Sequence, residues 1–241
     1  MIQSLEKLFT FDEFLEFLEG QPENIRYELY DGDIIQMPPP SGKHEQIVAF
    51  LTMILGYECL RLKLYYGIPK TVTVKPENKM SGYYPDVLLM DFSNLGNEPL
   101  WEEKSILSKP DSIPLVIEVV SQCVAEPVLK TGFPSQASGV RVPRVEATEE
   151  PVRVSTNWRD DYHKKFADYE EIGIREYWIV DYAALGSKEL IGDPKQPTIT
   201  VYSLSDEGEY RGKQFRGDDY IESPTFADLT LTADQIFSVR Y

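Results

Sequence analysis

The sequence predicts a single domain of the α/β (or α+β) class, built on a mixed β-sheet. Three observations lead there. The chain has 241 residues, the length of one ordinary domain with room for an embellishment. Short β-branched runs interleave along it with segments of helical period. Two of those runs, Tyr84–Met90 and Pro114–Val120, have the near-continuous apolar character of buried strands, and each carries one carboxylate, Asp86 and Glu118.

Composition narrows the class of function. A hydrophobic content of 42% and 12% aromatics fit a folded soluble chain. A net charge of -16 repels polyanions at long range. The acid is unevenly spread, however: Arg61, Lys63, Lys70 and Lys75 span a stretch without Asp or Glu, a local strip suited to phosphate. The two cysteines have no Cys-x-x-Cys spacing and there are only two histidines, so a typical zinc site is not expected. Met1–Leu8 lacks the apolar core of a signal peptide, and no apolar run approaches the ~20 residues of a membrane span. The expectation is a cytoplasmic protein with reduced thiols.

In chain order, Thr10-Phe11-Asp12-Glu13 has the form of a capping box, and Phe11, Phe14, Leu15 and Leu18 fall at helical spacing up to Gly20. Arg26–Tyr30 and Asp33–Met37 flank Asp31-Gly32, a two-residue hairpin signal. Strand alternation sets Glu28 on the face opposite Tyr27 and Leu29. After Pro38-Pro39-Pro40, Ser41 caps a helix from about His44 to Leu64, with Ile47, Val48, Leu51, Ile54 and Leu55 on one face. Thr71–Val74 alternates like a strand. Between the Asp86 and Glu118 strands, residues 92–113 read as a connection with a helical turn near Trp101–Ile106.

From Gln122 to Thr156 the periodicity fails, and a structureless loop of that length is uncommon inside a compact domain. It reads as an insertion within one domain spanning 1–241, either a flexible flap or a small β excursion using Gly139–Arg144 and Pro151–Ser155. A helix over about Asn157–Ile172 follows, stopped by Gly173, then the strand Tyr177–Val180. Thr198–Leu204 and Glu209–Phe215 form a hairpin, and a short helix near Ala233–Phe237 closes the chain.

An isolated buried carboxylate is costly, so Asp86 and Glu118 call for a cation, a hydrogen-bond network or a proton. Two on neighbouring strands make a divalent metal an economical partner; pairing with a core Arg or Lys would also suffice. On a helical wheel Tyr162, Phe166, Tyr169 and Ile172 form the buried stripe of the 157–172 helix. Lys165 projects within that stripe and Lys164 away from it. Spacing alone favours a snorkelling lysine or a pair with Asp161, one turn earlier.

These residues together resemble a known family. Tyr27-Glu28-Leu29 with Asp31-Gly32, Pro38-Pro39-Pro40 with His44, Tyr84-Pro85-Asp86, Val116–Ser121, and the block from Lys165-Phe166-Ala167-Asp168-Tyr169 to Gly173–Asp181 are similar to the Uma-two family of restriction-endonuclease-like proteins, within the PD-(D/E)XK nuclease superfamily. The resemblance implies a mixed sheet flanked by helices, with Asp86 and Glu118 as metal-binding carboxylates and Glu28 as an accessory acid. It implies Mg²⁺ or Mn²⁺, which suit hard oxygen ligands, and hydrolysis of phosphodiester bonds in DNA. The superfamily lysine two residues after the glutamate is Val120 here; the family's lysine on the following helix matches Lys165. The catalytic set implied is Glu28, Asp86, Glu118 and Lys165, with His44, Asp161 and Tyr169 as accessory candidates. A catalytically inactive module of the same fold, binding nucleic acid or a protein partner, is the alternative that Val120 and the acidic charge favour. A homodimer is a third expectation.

Overall fold

A computed structural model describes residues 8–22, 24–37, 39–121, 124–127, 155–156 and 159–239. The chain opens with α1 (Phe11–Glu19), where Thr10 and Glu13 cap reciprocally as a capping box and Gly20 ends the helix. Strands β1 (Arg26–Tyr30) and β2 (Asp33–Met37) pair antiparallel. Their turn places Asp31 at φ 45 and Gly32 at φ 84, the left-handed pair that two-residue hairpins use. Helix α2 (Gly42–Leu62) starts where the Ser41 hydroxyl accepts from the His44 N–H.

Three short or central strands follow: β3 (Tyr66–Gly67), β4 (Thr73–Val74) and β5 (Val87–Asp91). Then come α3 (Trp101–Lys104), β6 (Ile106–Leu107) and β7 (Leu115–Val119). The backbone of β8 (Val124–Pro127) pairs with β2 and with β9 (Ser155–Thr156). After a π-helical segment, Asp160–Lys165, the chain tightens into α4 (Phe166–Ile172), and Gly173 ends it at φ 87. The last elements are β10 (Glu176–Asp181), α5 (Lys188–Ile191), β11 (Thr198–Leu204), β12 (Tyr210–Phe215) and α6 (Ala233–Ser238).

The central sheet has six strands in the order β12-β11-β10-β7-β5-β3. Only the β10–β7 pair is parallel; the other ladders are antiparallel, so the sheet is mixed as expected. Alternation along β5, β7 and β10 splits the core in two. Val87, Leu89, Leu115, Ile117, Val119, Trp178 and Val180 face α2, α6 and the C-terminal segment. Leu88, Met90, Val116, Val120, Tyr177 and Ile179 face Tyr162 and Tyr169 of the 160–172 helix. A third cluster closes α1 on the hairpin through Phe11, Phe14, Tyr27 and Leu29.

Several expectations shift. The strand expected over 71–74 is two residues long and pairs parallel with β6, outside the central sheet. Within the helix expected over 157–172, Asp160–Lys165 is π-helical before Phe166–Ile172 becomes α. There the Tyr177 hydroxyl donates to the Asp161 carbonyl (2.9 Å), a side chain reaching into the helical ladder. Of the β excursions expected at 139–144 and 151–155, the first and all of the second but Ser155, which begins β9, lie outside the described residues, as does Cys123. No helix among the described residues is long and apolar enough to cross a membrane.

Candidate functional site

The register of the sheet brings the two strand carboxylates together. Val87 pairs with Ile117 and Leu88 with Val116, so the ladder extended by one residue sets Asp86 opposite Glu118. Residues opposite each other across antiparallel strands share a face. Asp86 has the parity of Leu88, and Glu118 that of Val116 and Val120, so both belong to the face covered by the 160–172 helix. The Val119 N–H donates to Asp86 Oδ2 at 2.8 Å, fixing that carboxylate at the strand end.

Glu28 arrives from the hairpin. Leu29 and Gly82 exchange backbone hydrogen bonds of 3.0 and 2.8 Å, which docks β1 against the segment leading into β5. Gly82 permits this approach: a Cβ there would lie 2.6 Å from the Phe11 ring. The Tyr84 N–H then donates to Glu28 Oε1 at 3.0 Å. Strand alternation sets Glu28 on the face opposite Tyr27 and Leu29, and all three are buried, because both faces of β1 are covered.

The lysine comes from the π-helical segment. Lys165 Nζ lies 3.2 Å from Glu28 Oε1, 3.2 Å from Glu118 Oε2 and 3.6 Å from Asp161 Oδ1. It is 2% exposed, so it is neither a snorkelling lysine nor paired with Asp161 alone. Lys164 turns outward to Asp160 and the Tyr30 ring. The Tyr169 hydroxyl donates to the other oxygen of Glu118 at 2.9 Å. At the first turn of α2, His44 Nε2 sits 3.1 Å from Asp86 Oδ2 and its Nδ1 3.3 Å from Glu45. All seven residues singled out from sequence therefore meet in one place. Arg26, Glu28, Met37, Tyr84, Asp86, Glu118 and Lys165 line a cavity of about 20 Å³, room for about one water-sized guest. The Asp86 side chain is 13% exposed and the Glu118 side chain 2%, so Asp86 is the side open to solvent.

Four carboxylates around one ammonium set the electrostatics. Burial pushes Glu118 well above the usual carboxylate range, although Lys165 opposes the shift. Burial likewise raises Asp161 to about 7, again against Lys165. Asp86 moves the other way: burial would raise it, but the hydrogen bond to His44 holds it below its ordinary value. Burial opposes the charge of Lys165, yet Glu118, Glu28 and Asp161 outweigh it and keep the ammonium protonated. The same competition raises His44, with burial outweighed by Asp86 and Glu45.

The donor chemistry suits a hard divalent ion: carboxylate oxygens, an excess of negative charge, and two buried Asp161 oxygens that accept no hydrogen bond. A coordination sphere is not preformed. No group of three or more His, Cys, Asp or Glu side chains among the described residues is arranged to close on a metal, and the Lys165 ammonium lies between Glu28 and Glu118. Sequence reasoning missed the backbone donors of Tyr84 and Val119, which carry no residue-type signal, and the Tyr83 ring 5.9 Å from the ammonium. Of the basic strip at 61–75, Arg61 pairs with Glu58 at 2.5 Å.

Comparison with known proteins agrees with this architecture. The Uma2 family model, described as "Putative restriction endonuclease", matches residues 11–126 and 154–234, well over half of the chain. A crystal structure of "a putative nuclease belonging to DUF820 from Anabaena variabilis ATCC 29413" superposes with a TM-score of 0.60 at 20% identity. The match covers 95% of this chain and 98% of that one, and at this identity it establishes the fold. No curated protein matches the chain.

Proposed function

The chain belongs to the Uma2 family, and on that footing we propose that it is a divalent-metal-dependent endonuclease hydrolysing phosphodiester bonds in DNA. The observation that carries this reading is the convergence of Lys165 from a helix on Glu118 and Glu28 from two different strands, with Asp86 at the solvent side. Val120, at the superfamily's lysine position, is apolar and fully buried, and the ammonium that reaches Glu28 and Glu118 is that of Lys165.

In this reading Asp86, Glu118 and Glu28 hold Mg²⁺ or Mn²⁺. Such an ion, when bound, supplies charge neutralisation at the phosphate and a water of lowered pKa. The chain's own groups do the rest. His44 donates to Asp86 and the Tyr169 hydroxyl to Glu118, so each acid is turned into the cavity by a fixed partner. Lys165 offers an ammonium to the attacked phosphate or its nucleophilic water, and Asp161 helps keep it charged. The acidic net charge, which repels DNA at a distance, is locally reduced once a divalent ion is held.

The competing reading is an inactive module of the same fold that binds nucleic acid or a protein. Val120 and the ammonium seated between the acids favour it. Two measurements separate them. Calorimetric titration with Mg²⁺ or Mn²⁺ is expected to show binding in the wild type that Asp86→Asn abolishes. Nicking of supercoiled plasmid is expected to require metal and to fall by roughly 10²–10³ in Glu118→Gln and Lys165→Ala. Metal binding without cleavage of any nucleic acid selects the inactive module; full activity in both variants moves the chemistry elsewhere.

A further inference from the structure

The cavity between the acids and Lys165 is too small for a phosphodiester. Its volume of about 20 Å³ holds about one water-sized guest, so a DNA phosphate has to stay at the mouth. Lys165 is 2% exposed and engaged with Glu28 and Glu118 inside. That depth suits it to the water rather than to the phosphate, and leaves the phosphate in need of another cation.

Arg26 stands at that mouth. Arg26 and Glu28 alternate onto one face of β1, so the arginine points the same way as the acid that meets Lys165, about 7 Å away along the strand. Both line the cavity, yet Glu28 is buried and Arg26 is exposed. Met37, opposite Arg26 across the hairpin, lines the same rim and offers an apolar neighbour to the arginine stem. The nearby acids are already engaged. Glu28 accepts from the Tyr84 N–H and meets Lys165; Asp86 accepts from the Val119 N–H and meets His44. Elsewhere in this acidic chain Arg61, Lys79, Lys109, Lys164 and Arg175 each pair with a carboxylate. Among the described residues the Arg26 guanidinium makes no ion pair and no hydrogen bond. Its charge is left for a ligand, and its planar fork matches two oxygens of one phosphate.

We propose that Arg26 binds the DNA phosphate presented at the mouth of the cavity, with its guanidinium on the two non-bridging oxygens. The inference rests on the endonuclease reading for the identity of the ligand and the side from which it approaches. Two cations then divide the work by depth: Arg26 holds the phosphate outside, and Lys165 faces the water inside.

The test is the salt dependence of DNA binding by the full chain. It is read from the anisotropy of a fluorescein-labelled duplex over a series of KCl concentrations, in chelator and again with Ca²⁺. One phosphate contact contributes about 0.9 to the slope of log affinity against log salt. Arg26→Gln should therefore bind more weakly at low salt and lose about one unit of slope. Arg26→Lys keeps the charge, so it should keep the slope and lose only affinity. The side chain is exposed and unbonded, so Arg26→Gln should melt at the wild-type temperature. In plasmid nicking with Mg²⁺ the same variant should lose about 10- to 100-fold in kcat/KM. An unchanged slope in Arg26→Gln overturns the contact, as does a wild type that binds no duplex in either condition. If that wild type still nicks plasmid, the endonuclease reading survives the failure. Conversely, an Arg26-dependent slope in a chain that nicks no plasmid with any divalent metal supports the contact and removes the hydrolytic reading.

Discussion

At the scale of single residues, the decisive question is what one ammonium does among four acids. Lys165 is the cation that faces Glu28, Glu118 and Asp161, all of them nearly or fully buried. Removing one partner of a buried charge cluster strands the others. Lys165→Met should therefore lose about 3–5 kcal/mol in urea denaturation at pH 8, measured with chelator present. The loss should shrink toward pH 5, because protonating the stranded acids replaces the missing cation. Asp161 gives a second pH signature. Its folded value of about 7 lies above the ordinary Asp value of 3.8, so the folded state binds the extra proton. Its contribution is complete below the unfolded value and is lost as pH rises through about 7. Asp161→Asn should flatten the decline in stability across pH 4–7; an unchanged slope would mean that another group, with Glu118 the first candidate, holds that proton.

At the scale of elements, most of the fold was readable because the chain's local signals agree with its tertiary ones. The capping box at Thr10–Glu13, the Asp31-Gly32 turn and Gly173 each end or start an element where expected. Gly173 also gives a clean measurement. It holds φ 87 at the end of α4, and a Cβ there would meet only Pro110 at an ordinary 3.7 Å. Gly173→Ala should cost about 1 kcal/mol from backbone conformation alone. What the sequence hid was the interaction between elements. Glu28 alternates like a solvent-facing residue, and only the docking of β1 on Gly82 buries it. The π-helical segment has no compositional mark, and the β10 tyrosine whose hydroxyl donates to its Asp161 carbonyl is brought there only by the fold. The apposition of Asp86 and Glu118 rests on strand register, which neither strand encodes by itself. Lys165 was legible from its wheel position, but its three acidic neighbours come partly from elements over a hundred residues away.

At the scale of the whole molecule, two layers of core hold the six-stranded sheet, and the site lies where the hairpin, α2 and the 160–172 helix meet at the strand ends. Lys165 already offsets part of the negative charge that an ion would neutralise there. Chelator should leave the melting temperature unchanged, in contrast to small metallodomains that unfold without their metal, while added Mg²⁺ should raise it by mass action if the site binds. A fall of several degrees on chelation would contradict this. The ammonium of Lys165 has a further consequence, for selectivity. The pocket has a tenant from the moment of folding, and any newcomer must evict it. Sodium or potassium brings one positive charge, no more than the tenant already supplies, and gains nothing by the exchange. On the proposed function, only an ion of higher valence improves on the resident, so the site would discriminate by charge before ionic radius enters.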